Sequence, residues 1–144
     1  MKDRGYIVDA SVAVKWFIPE DYSDIALRIL ERFKNLEVVL YAPDSIKLEF
    51  ANAIRKYYIR KIITRDLMNW ILEEMKKIPI NYVRIDWRLA TEALKIAVEN
   101  NITVYDAYYI ALSQERNIQV VTADEKLYNA MAEKYDIVLL KDLL

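Results

Sequence analysis

The sequence has no cysteine, no histidine and one glycine, Gly5, among its 144 residues. Without cysteine there are no disulfides, no thiolate nucleophile and no sulfur-bound zinc. Without histidine there is no Ser-His-Asp triad, no imidazole general base and no haem-type ligation. One glycine cannot build a P-loop or a dinucleotide-binding fingerprint, each of which needs several. No uncharged apolar stretch approaches the roughly 18 residues that suggest a membrane span. The N-terminal stretch MKDRGYIVDAS carries charge where a secretory leader needs a long apolar run. The expected setting is cytoplasmic, away from the membrane. Twenty-one basic and 22 acidic residues leave a net charge of −1, so electrostatic recognition has to be local.

The remaining chemical material is mostly carboxylate, with lysine, tyrosine, serine and threonine. A metal bound by such groups is a hard cation held by oxygen, Mg²⁺ or Mn²⁺ rather than Zn²⁺. Hydrophobic residues make up 55% and charged residues 30%, a composition that can fold. The length suits one domain, 1–144, burying roughly 70% of its unfolded surface.

Short apolar runs alternate with longer helical patterns. The runs are Tyr6-Ile7-Val8, Val38-Val39-Leu40-Tyr41, Val120-Val121 and Ile137-Val138-Leu139-Leu140, with a further extended candidate at Tyr82-Val83-Arg84-Ile85. They do not alternate apolar with polar, as expected of strands covered on both faces. Between them, helical stripes appear at Ile25, Ile29, Leu30 and Phe33, at Leu67, Trp70, Ile71 and Met75, and at Trp87, Ala90, Leu94 and Ala97. Thr64 and Asp86 open the second and third of these. Further helices are predicted over about 45–58, over about 104–114 and after Ala123. The alternation predicts an α/β, three-layer sandwich: a central parallel sheet of four to five short strands flanked by helices. Ligands in such folds gather at the carboxyl ends of the strands, where strand order switches.

Four acids fall at such places. Asp9 follows the first strand in YIVDASVAVKW, and Asp124 follows the late strand in VVTADEKLY. Glu49 lies early in the helix of APDSIKLEFANAI. Asp106 lies in TVYDAYYIALS, enclosed by Val104, Tyr105, Ala107 and Tyr108. Each also has a purely structural explanation. Asp9 can cap a helix starting near Ser11, Thr103-x-x-Asp106 resembles a capping box, and Thr122-x-x-Glu125 is a capping-box pattern that makes Asp124 an ordinary first-turn acid. Glu49 can be a surface acid paired with a lysine. Were the four to meet within a few ångströms they could not all stay ionised: either one or two divalent ions neutralise them or some of their pKa values rise steeply. Such ions would activate water without a histidine base and neutralise charge developing on a phosphoryl group.

With these four stretches in their order, the chain resembles the PIN-domain ribonucleases, and in size and layout it is similar to VapC-type toxins of toxin–antitoxin pairs. The resemblance covers essentially the whole chain. It implies a PIN-like fold with Asp9, Glu49, Asp106 and Asp124 as the catalytic, metal-binding acids, Asp9 and Asp106 foremost and Asp124 acting through water. It implies that Ser11 and Thr122 support them through their hydroxyls. The implied activity is Mg²⁺- or Mn²⁺-dependent endoribonuclease cleavage leaving 5′-phosphate and 3′-hydroxyl ends. The implied partners are an antitoxin protein and a second copy in a homodimer.

RNA has a candidate surface in RKYYIRK, residues 55–61, where Arg55, Lys56, Arg60 and Lys61 accompany two tyrosines. The same residues also suit a solvated helix end. Lys15, beside Trp16, is a further candidate. Tyr57, Tyr58, Ile62, Ile63 and Trp70 are candidates for the antitoxin contact. The alternatives are a non-toxin PIN nuclease in RNA processing and a catalytically silent RNA-binding or regulatory α/β module. An aspartyl phosphatase would need a second acid where Ser11 stands, and a phospho-receiver would need paired acids in residues 6–11.

Overall fold

The computed structural model describes residues 5–143. Its strands are β1 (Gly5–Val8), β2 (Val39–Pro43), β3 (Asn81–Val83), β4 (Gln119–Thr122) and β5 (Ile137–Leu139). Its helices are α1 (Ala10–Val14), α2 (Ser23–Lys34), α3 (Ile46–Ile59), α4 (Arg65–Lys77), α5 (Trp87–Asn100), α6 (Val104–Arg116) and α7 (Glu125–Met131), and a 3₁₀ turn over Leu140–Asp142 follows β5. The strands form one sheet in the order β3-β2-β1-β4-β5, with every neighbouring pair parallel. The α/β sandwich expected from the alternation is therefore present, with five strands.

The layers follow from the two-residue period of a strand. Ile7 and Val8 are both fully buried, yet they enter different cores. Val8 packs with residues of α1, α2, α3 and α4, and Ile7 with residues of α5, α6 and α7. Val120 and Val121 of β4 divide in the same way. Two apolar side chains in succession thus require a helical layer on each face of the sheet.

Strand order starts at β1, runs outward through β2 to β3, then resumes on the other side with β4 and β5. The switch lies between β1 and β4, where Ile7 pairs with Val120 and Val8 with Val121. A crevice beyond the carboxyl ends of these two strands is the place such a sheet offers a ligand.

Three sequence expectations shift. The extended segment after Pro79 forms its strand at Asn81–Val83 rather than at 82–85. The inward face of α5 is Leu89, Ala93, Ile96 and Ala97, while Trp87 is 89% and Leu94 52% exposed. Apolar residues lie on two rows of this helix, and packing against α6 selects the row that includes Leu89. In α4, Ile71 and Met75 are buried, whereas Trp70 sits edge-on to Phe17 and is half open.

With one glycine available, left-handed backbone falls to residues that carry side chains. Tyr22, Leu36, Lys61, Asn101 and Asn117 all have φ between 53° and 67°. Asn101 and Asn117 close α5 and α6, their N–H groups donating to the carbonyls of Ala97 and Ser113. Among the described residues, no helix is long and apolar enough to cross a membrane.

The two-sided core predicts a sharp contrast. Leu40→Ala, at a fully buried position of β2, should lower unfolding free energy by about 2–5 kcal/mol in urea titrations. Trp87→Ser should stay within about 0.5 kcal/mol of the parent, and a large loss there would mean that Trp87 is not on the surface.

Candidate active site

β1 ends directly in Asp9, which is the N-cap of α1. Its Oδ1 accepts the Val12 N–H at 3.2 Å, so the capping role open from the sequence is realised. Two hydroxyls hold the same carboxylate. Ser11 Oγ donates to Oδ1 and Thr122 Oγ1, from the end of β4, donates to Oδ2, each at 2.5 Å. Both hydroxyls are themselves oriented: the Ala123 N–H donates to Ser11 at 2.9 Å and the Asp124 N–H to Thr122 at 3.0 Å. Two successive peptide groups thus fix two acceptors, whose own protons point at Asp9.

Asp9 is 8% exposed. Burial pushes its pKa up to about 6, Ser11, Thr122 and Val12 oppose that rise, and the charge of Asp124 adds to it. The other acids belong to the same electrostatic group. Glu49, half-buried in the first turn of α3, is raised by burial and by the charges of Asp9 and Asp106. Asp106, in the first turn of α6, is raised by burial and by Asp124. The structure places the hydroxyls of Ser11 and Thr122 on Asp9 and puts the four acids within reach of one another's charge in pairs: Asp9 with Asp124, Glu49 with Asp9 and Asp106, and Asp106 with Asp124.

Asp106 keeps its capping geometry, its N–H donating to Thr103 Oγ1 at 3.1 Å. The capping box that Thr122-x-x-Glu125 offered as the alternative reading does not form. Thr122 is turned to Asp9, and Asp124 itself caps α7 through Oδ1, which accepts the N–H groups of Lys126 and Leu127. Thr122 Oγ1 donates its proton to the buried carboxylate of Asp9, a charge-assisted bond, while its oxygen accepts the Asp124 N–H.

The basic candidates stand apart from this crevice. Lys15 is turned aside, with Nζ on the Asp21 carbonyl at 2.8 Å and on Glu20 at 3.4 Å. Arg55, Lys56, Arg60 and Lys61 are exposed and, among the described residues, form no ion pair. At 1.5 Å per residue they begin roughly 9 Å along α3 from Glu49. Of the outer apolar candidates, Ile62 and Trp70 are exposed, and Tyr57 and Tyr58 are half-buried. Tyr57 bonds to Glu20, and Ile63 is a core residue rather than a surface one.

Sequence reasoning missed Tyr109. Its hydroxyl donates to Glu49 Oε2 at 2.6 Å. Burial, and then the charge of Glu49, push the phenol far upward, so it keeps its proton. The available signal was spacing: three residues after Asp106, it shares that residue's helix face.

The donor set tests whether a metal fits. It is all oxygen and anionic, which suits a hard divalent cation. Among the described residues, no three acids already close around one point.

The PIN domain family model matches residues 6–133. The chain belongs to the PIN-domain family. This PIN domain is 28% identical over 134 residues to Ribonuclease VapC3 of Pyrobaculum aerophilum, covering 90% of this chain and 93% of that protein. Its fold is similar to VapC20 of Mycobacterium tuberculosis, described as a sarcin-ricin-loop-cleaving toxin: TM-score 0.64, 14% identity, 88% of this chain and 95% of that one. It is also similar to a chain of VapBC2 from Rickettsia felis bound to a DNA fragment from its promoter: TM-score 0.66, 11% identity, 94% and 96% covered.

The raised carboxyls give this PIN domain a pH signature. Asp9 binds its proton more tightly folded than unfolded, so between its ordinary 3.8 and about 6 the folded state holds more protons and stability falls as pH rises. Glu49 and Asp106 act in the same direction. From pH 4 to 7 without divalent metal, the parent should lose up to about 3 kcal/mol relative to Asp9→Asn. Parallel pH profiles in urea unfolding would rule the assignment out.

Proposed function

We propose that this PIN domain, a single domain over 1–144, is a metal-dependent endoribonuclease and the toxin of a VapBC-type pair. The observation that carries the reading is the crevice at the β1/β4 switch. There, Asp9 is desolvated and feels the charge of Asp124, Glu49 feels Asp9 and Asp106, and Asp106 feels Asp124. The names of the relatives, a ribonuclease and an RNA-cleaving toxin, support the same substrate class. The VapBC complex supports a cognate antitoxin.

Asp9, Asp106, Glu49 and Asp124 would hold Mg²⁺ or Mn²⁺. When bound, such an ion supplies water activation and neutralises charge on the phosphodiester. The chain's own residues prepare for it. Ser11 and Thr122 hold both oxygens of Asp9 in place, and the N–H groups of Lys126 and Leu127 occupy one oxygen of Asp124.

Beyond Asp106 and Asp124 the crevice continues as a cavity of about 520 Å³, whose wall includes Asn101, Thr103 and Lys126. A polynucleotide crossing the acids would enter this cavity. Arg55, Lys56, Arg60 and Lys61 would take up flanking phosphates, while Lys15, engaged with Glu20, holds its loop. The antitoxin would cover the α3–α4 surface near Ile62 and Trp70. A homodimer and a cytoplasmic setting complete the reading.

RNA cleavage should require Mg²⁺ or Mn²⁺ and stop with chelator. Losing even an outer partner of a metal ligand lowers activity 10–100-fold, so Asp9→Asn and Asp106→Asn should each lose about 100-fold or more. Chelator-resistant cleavage would exclude the metal, and full activity in either variant would exclude the acids. Neutralising Arg55, Lys56, Arg60 and Lys61 together should weaken RNA binding and flatten its salt dependence, by about 0.7 in log–log slope per lost phosphate contact. An unchanged slope would remove these residues from the RNA path.

A further inference from the structure

Tyr109 is the largest of the fully buried side chains, 2% exposed within the apolar layer of α5, α6 and α7. A phenylalanine would fill nearly the same space, and a buried hydroxyl without a partner is unfavourable. The hydroxyl has one partner among the described residues, Glu49 Oε2 at 2.6 Å. This bond joins the two helical layers: Glu49 is flanked on α3 by Phe50, a member of the opposite core. It also meets Glu49 at an awkward place. Repulsion from Asp9 and Asp106 favours a long, flexible carboxylate swinging out toward solvent, and the phenol opposes that swing.

We propose that Tyr109 is a positioning residue. Its hydroxyl holds Glu49 in the crevice by one oxygen, and Oε1 stays free to meet a divalent cation. This rests on the reading of the crevice as a cation-assisted nuclease site. A phenol that merely clips α3 to α6 would matter for folding and not for ion binding, so the two roles separate experimentally.

The test uses the full chain without RNA, titrated with Mn²⁺ and followed by the electron paramagnetic resonance signal of the free ion. Removal of an outer partner of a metal ligand weakens binding 10–100-fold, so Tyr109→Phe should raise the Mn²⁺ dissociation constant about 10-fold. Its metal-free melting temperature should fall by only a few degrees. RNA cleavage by the variant should be recovered by raising Mn²⁺, with KM for RNA unchanged. Glu49→Gln should weaken Mn²⁺ binding as well, and adding Tyr109→Phe to it should produce little further loss, because the two residues act through one another.

Should Tyr109→Phe fail to fold, site-specific 3-fluorotyrosine at position 109 replaces it. Its ¹⁹F resonance should move on Mg²⁺ addition in the parent and stay still in Glu49→Gln. Parental Mn²⁺ affinity in Tyr109→Phe, beside a weakened Glu49→Gln, overturns the positioning role and leaves the nuclease reading intact. Parental affinity in Glu49→Gln overturns the proposal, and parental affinity in Asp9→Asn too would take the cation site with it.

Discussion

The structure depends on keeping one carboxylate largely withdrawn from water. Asp9 follows a strand whose last two residues, Ile7 and Val8, are fully buried, and burial alone would drive it to take up a proton or pull the strand end outward. What holds it is a neighbouring strand. Thr122 belongs to β4, which pairs with β1 over Tyr6–Val8, and Ser11 is steadied by the peptide that follows Thr122. A one-residue slip between β1 and β4 would turn Thr122 away and leave the anion unsupported. The register of the sheet and the chemistry of the crevice are one constraint.

The same economy governs the helix starts. Asp9 and Asp124 each close the first turn of a helix while facing the crevice. Parallel strands followed by helices bring such first turns to one edge of the sheet, so acids that are good caps are also gathered into one neighbourhood. Their mutual repulsion makes the arrangement costly in the free protein. The apolar layers tolerate this because Ile7, Val8, Val120 and Val121 secure the sheet from both faces.

Much of this was legible from residue order. β1, β2, β4 and β5 were visible because strands buried on both faces read as apolar doublets, and the acids were visible because each interrupts apolar surroundings at an element boundary. The phase of α5 was not legible. Trp87 and Leu94 form as good a stripe as Leu89, Ala93 and Ile96, and only the neighbouring helix decides between them. The support Thr122 gives Asp9 follows from the family resemblance and not from local pattern, which offers only a capping box, because the two residues lie 113 positions apart. Tyr109 was hidden for a similar reason. In sequence it is one more aromatic in an apolar helix, and its meaning resides in a contact with Glu49 across 60 residues.

The left-handed residues carry a consequence of another kind. Where most chains place glycine, this one places Leu36, Lys61, Asn101 and Asn117. Each gives up a little local comfort in the native state. In return, the denatured chain lacks the floppy joints that glycine would introduce, so it wanders through fewer shapes and surrenders less freedom when it collapses. Part of what keeps this molecule folded is thus located in no contact at all, but in the relative stiffness of the chain before it folds.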